Sequence, residues 1–104
     1  MSNNYNIPDW LEKKVKDRDN KCVYCHVKMK VYPNAKGTPG DKATFEHIDN
    51  DGPPSEANIA MCCASCNSSK GVKKLLDWFD SPYCKERNIN TTTTADVIRR
   101  FINH

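Results

Sequence analysis

Two C-x-x-C pairs, Cys22-Val-Tyr-Cys25 and Cys63-Ala-Ser-Cys66, constrain this chain more than any other feature, because each forms a tight knuckle that aims two sulfurs at one ion. Two knuckles together supply the closed tetrahedral Cys₄ site typical of structural zinc. A disulfide between residues i and i+3 strains the backbone, and a thioredoxin-like motif uses one pair and leaves the other unexplained. Cys62 makes the register ambiguous. Cys63 is preferred because its spacing to Cys66 repeats that of the first knuckle, which leaves Cys62 and Cys84 to pack as small apolar residues. Zinc ribbons commonly separate their pairs by roughly 15–20 residues. Here 37 residues lie between Cys25 and Cys63, so an ion would tie together the ends of a long insert.

The rest of the composition explains why such a clamp is needed. The chain has 104 residues, 38% of them hydrophobic and nine aromatic, enough for one domain with a thin core. No apolar run reaches membrane-spanning length, and the first residues carry no signal-peptide pattern. The expected compartment is a reducing cytoplasm, in a bacterial or phage-type setting, which favours metal over disulfide. Charge is unevenly placed. Residues 1–42 hold nine Lys/Arg against five Asp/Glu, residues 43–61 hold four acids and no Lys or Arg, and residues 62–104 hold seven basic and four acidic residues. An acidic centre between basic flanks suits a polyanion gripped from both sides with a cation in the middle, although solvated surface charge gives the same count.

Periodicity predicts a helix over about 8–18, opened by Pro8 and striped by Ile7, Leu11 and Val15. Val27, Met29 and Val31 alternate as a strand. Residues 33–41 are rich in turn formers, and 43–48 read as a second strand able to pair with the first as a hairpin. A short strand over Asn58–Met61 follows the loop at 49–55. From Ala64 the pattern is helical, with Val72, Leu75, Leu76 and Phe79 on one face. Ser81-Pro82 stops it and opens a short turn through Arg87. Thr94 is the expected N-cap of a last helix over about 95–103, faced by Val97, Ile98, Phe101 and Ile102. That face serves core packing or a homodimer. The expected organisation is a single domain over 1–104, with its metal-bearing core at about 18–80.

The insert carries the chemistry. Phosphodiester hydrolysis needs an activated water, a cation on the phosphate and a stabilised leaving oxygen. His47 supplies an imidazole able to take a proton near neutral pH. Glu46 and Asn67 supply hard oxygen donors suited to Mg²⁺ or Mn²⁺. Singly, these are a surface pair and a helix cap, and Asn58 is a turn residue; the case lies in their joint spacing.

Arg18-Asp-x-x-Cys-x-Tyr-Cys25, Glu46-His-Ile48 and Asn58-x4-Cys63-x-x-Cys66-Asn67-x-x-Lys70-Gly71 together resemble the HNH endonucleases of the ββα-metal (His-Me finger) class, in their zinc-containing branch. The resemblance covers residues 18–71. It implies an α+β fold, a small ββα core of antiparallel hairpin plus helix stapled by the Cys₄ zinc, with flanking terminal helices. It further implies a DNA endonuclease leaving 5′-phosphate and 3′-hydroxyl ends. His47 takes the general-base position, Glu46 and Asn67 the catalytic-ion positions, and Asn58 the place of the residue that holds the loop and orients the base. Arg18, Lys70, Lys73 and Lys74 are the expected DNA contacts. Two departures stand out. The acid is more often Asp, and the last ligand is often His, so Asn67 points to an oxygen-loving ion. Two rivals remain at this level: a non-catalytic zinc module that binds nucleic acid, and a specialised junction-resolving nuclease.

Overall fold

The computed structural model describes residues 7–31 and 39–103. Its elements are α1 (Asp9–Arg18), β1 (Ala43–His47), β2 (Ile59–Cys63), α2 (Ala64–Lys70), α3 (Leu75–Phe79), α4 (Pro82–Arg87) and α5 (Asp96–Ile102). This is a small α+β fold built on a two-stranded antiparallel hairpin. The turn-rich stretch expected at 33–41 and the polar first residues fall mostly outside the described residues.

The hairpin registers Ala43 with Cys63, Phe45 with Met61 and His47 with Ile59. Its two faces meet different cores, because alternate side chains leave a strand on opposite sides. Ile59 and Met61 join Ile7, Leu11 and Val15 on one side, where α1 lays its apolar stripe. Ala60 and Cys62 join Tyr24, Trp78, Phe79 and Ile98 on the other. All five residues of β2 are therefore buried. Its outer edge is also paired, as a sheet edge must be. The Arg18 guanidinium donates to the Ile59 carbonyl at 2.7 Å, the Met61 amide donates to the Asp19 carboxylate at 3.0 Å, and the Val23 amide donates to the Met61 carbonyl at 3.3 Å.

Three expectations are corrected. The strand over 27–31 is reduced to isolated bridges, Lys21 with Lys28 and Lys30 with Lys42. Its alternation buries almost nothing, since Val27 and Val31 are exposed and Met29 alone is half-buried. The hairpin partner of β1 is consequently β2. The single helix expected from Ala64 to Phe79 is two helices, broken at Gly71, whose φ of +53° is one that glycine adopts without a Cβ penalty. The break leaves Val72 and Leu76, half of the expected apolar face, in solvent. Finally, Ala95 occupies the N-cap of α5, while Thr94 is buried. The Ala95 amide donates instead to the Val23 carbonyl, tying α5 to the first knuckle. The turn expected after Ser81 is α4, capped by the Ser81 hydroxyl, which accepts from the Cys84 amide.

Candidate functional site

The hairpin and α2 bring the expected residues onto one frame. Cys63 ends β2, caps α2 by accepting from the Cys66 amide, and contributes a sulfur. Across from it, the first knuckle folds back through His26, at φ +65°, with the His26 amide on the Cys22 carbonyl. The sulfurs of Cys22, Cys25, Cys63 and Cys66 lie within 4.8 Å of one another, and Cys25 and Cys63 are 3.7 Å apart. Zinc–sulfur bonds of about 2.3 Å in a tetrahedron place their sulfurs about 3.8 Å apart, so the quartet fits such an ion. All six cysteines are free thiols, and Cys62 lies outside the quartet. Hydrogen bonds, that from Cys22 first, hold Cys25 and Cys63 below the ordinary thiol range. The Tyr83 hydroxyl donates to the Cys66 sulfur at 3.3 Å, the kind of outer contact that orients a ligand.

Glu46 lies on the β1 face that looks into the larger core and is almost wholly buried. The Tyr24 hydroxyl lies 2.9 and 2.7 Å from its two carboxylate oxygens, and the buried Lys70 ammonium lies 3.6 Å from one of them. Burial pushes the Glu46 carboxyl up to about 7, against the opposing pull of Lys70 and Tyr24. Lys70 also donates to the His47 carbonyl at 3.4 Å. His47 closes β1 and is buried; desolvation first, and the Lys70 charge second, hold its imidazole below the usual value.

Asn58 spans the hairpin loop. Its side-chain oxygen accepts from the Asp49 amide at 2.8 Å, and its nitrogen donates to the Asp49 and Pro53 carbonyls, each at 3.0 Å. Gly52 makes room for this clasp, since a Cβ there would sit 2.7 Å from the Asn58 side-chain nitrogen. Asn67, on α2, donates through its nitrogen to the Thr44 hydroxyl at 3.0 Å and the Phe45 carbonyl at 3.3 Å. Its carboxamide is thus fixed beside β1, with the oxygen as its remaining donor atom for a cation. A carboxylate and a carboxamide oxygen are the hard pair that Mg²⁺-type ions take, with water and substrate completing the shell.

Of the four expected DNA contacts, Arg18, Lys73 and Lys74 are exposed, and the Lys73 ammonium donates to the Ser69 carbonyl at 3.1 Å. Arg18 and Lys70 are more extensively engaged within the protein. Arg18 holds Asp19 and the Glu56 and Ile59 carbonyls, and Lys70 is buried against Glu46. A groove of about 640 Å³ runs between Asp49–Asp51 and Val72–Asp77, beside the His47 end of β1. A larger cavity of about 910 Å³, between Arg18, Glu56 and α5, touches none of the chemistry-bearing residues. Tyr24 is the site residue to which sequence reasoning gave no role. The signal was its place inside the knuckle, where a phenol beside two ligands has few directions to point.

Among curated proteins, the chain is similar to a Bacillus subtilis (strain 168) protein named "SPbeta prophage-derived putative HNH endonuclease YoqL", with 37% identity over 81 residues. The match takes in 74% of this chain and 35% of that protein, so the chain spans about a third of the relative's length. No family model and no solved structure matches. Among the described residues, no helix is long and apolar enough to cross a membrane.

Proposed function

This chain belongs to the HNH endonuclease family, and from that premise we propose that it hydrolyses phosphodiester bonds in DNA. In this reading Zn²⁺ on Cys22, Cys25, Cys63 and Cys66 is structural and fixes the two knuckles. A Mg²⁺ or Mn²⁺ ion on Glu46 and Asn67 would offset charge on the scissile phosphate and on the departing 3′ oxygen. His47, neutral at physiological pH, takes a proton from the attacking water as its oxygen bonds to phosphorus. The bond from phosphorus to the 3′ oxygen breaks, and that oxygen takes a proton from solvent water, leaving 5′-phosphate and 3′-hydroxyl ends. Asn58 holds the loop that follows the base, helped by the Ile48 amide, which donates to the Asn58 carbonyl at 2.8 Å. Lys73 and Lys74 meet the DNA backbone; Lys70 and Arg18 act within the protein.

The observation that supports this most is the buried imidazole of His47 on the same hairpin as a buried carboxylate and a clasped turn. The Glu46–Lys70 pair favours a second reading, a non-catalytic zinc module that grips nucleic acid, because a carboxylate with an internal counter-ion needs no metal. Supercoiled plasmid separates the two. The zinc-loaded parent should nick it only with Mg²⁺ or Mn²⁺, and His47→Ala should keep fold and zinc while losing about 100-fold or more in rate. Equal nicking by both proteins would remove His47 from the chemistry. A parent that binds the plasmid and never cuts would leave the binding module.

A further inference from the structure

We infer that Tyr24 is a positioning residue that links the zinc knuckle to the candidate catalytic ion by holding the Glu46 carboxylate. This rests on reading Glu46 as a ligand of that ion.

Tyr24 lies between Cys22 and Cys25, so the turn that aims two sulfurs at one metal also aims a phenol at Glu46. The ring has little freedom. It is buried and packs edge-on against Trp78, with centroids 4.8 Å apart and planes at 77°. Trp78 is itself fixed, its indole N–H donating to the Ser69 hydroxyl on α2 at 3.0 Å. The hydroxyl is therefore delivered by rigid neighbours to both carboxylate oxygens. A carboxylate has about four lone-pair sites, and Tyr24 and Lys70 leave some of them for a cation. Glu46 is one methylene longer than the Asp more usual in the resembling family. A longer side chain has more rotamers to lose, and an immobile phenol removes them before the ion arrives. Lys70 contributes charge at 3.6 Å from one oxygen, whereas Tyr24 contacts both and so sets the orientation of the carboxylate plane.

Tyr24→Phe keeps the ring and its packing on Trp78 and deletes the hydroxyl. Mn²⁺ would be titrated into the zinc-loaded chain, with free Mn²⁺ read by electron paramagnetic resonance, for the parent, Tyr24→Phe and Glu46→Gln. The expected result is unchanged zinc content in all three. Mn²⁺ affinity should fall about 10-fold or more in Tyr24→Phe, in the range that lost outer-shell hydrogen bonds cost, and at least as far in Glu46→Gln. Parent-like affinity in Tyr24→Phe with loss in Glu46→Gln overturns the role of Tyr24 and leaves Glu46 as a ligand. Parent-like affinity in Glu46→Gln overturns both. A second measurement needs no variant: Mg²⁺ added to the parent should shift the Tyr24 ring resonances in nuclear magnetic resonance spectra, and unmoved resonances would count against the link.

Discussion

His47 owes its behaviour to two neighbours of different kinds. Burial removes water from the imidazolium, and the Lys70 ammonium repels it, so the protonated form is disfavoured twice. The ring's titration midpoint in the zinc-loaded protein should therefore lie below the ordinary 6.5, read from imidazole resonances with His47→Gln for assignment. A midpoint at or above that value would refute the account. The unfolded chain takes up a proton near 6.5 that native His47 refuses, so its stabilising contribution is full above that pH and fades as pH falls through the lowered native value. Glu46 acts oppositely. Native Glu46 keeps its proton up to about 7 against an ordinary 4.5, so its contribution is full below 4.5 and fades as pH rises to about 7. Glu46, His47, Asn58 and Asn67 were legible from spacing as candidates for the site. The engagement of Lys70 was not, because a lysine three residues after Asn67 reads as a surface charge until the fold turns it onto Glu46 and the His47 carbonyl.

At the scale of elements, legibility followed burial. α1 was readable because Leu11 and Val15 repeat at a helical period and both are buried. The strand expected over 27–31 had an equally clear alternation, but exposed valines have no face to bury, and the knuckle rather than a ladder directs the chain there. β2 was shortened by sequence reasoning because Cys62 and Cys63 do not alternate in polarity; a strand covered on both faces has no polar side to reveal it. An ion held by the four cysteines would tie the junction of β2 and α2 to metal, since Cys63 alone ends the strand, caps the helix and offers its sulfur to the quartet. Stripping zinc with a strong chelator should abolish the cooperative thermal transition seen by circular dichroism. Structural zinc sites in small domains carry about 10–16 kcal/mol of apparent binding free energy, comparable to or larger than the stability of a whole domain. A chelated chain that still melts cooperatively near the parent's midpoint would show that the core suffices alone.

For the whole molecule, the hairpin divides the interior into two clusters, one under α1 and one around Trp78 and the knuckles. Composition could not reveal this division, because it counts apolar residues without saying which strand face each will meet. Among the described elements, β2 alone contributes buried residues to both clusters, and its outer edge is also bonded, by Arg18, Asp19 and Val23. Exposing the amide protons there requires breaking contacts on both faces and both edges together, which raises the free energy of opening. In deuterium oxide, the Met61 amide should thus be among the slowest in the protein to exchange. The amides of α1, which borders a single cluster, should become labelled earlier, through a partial opening that leaves the half around the four cysteines intact.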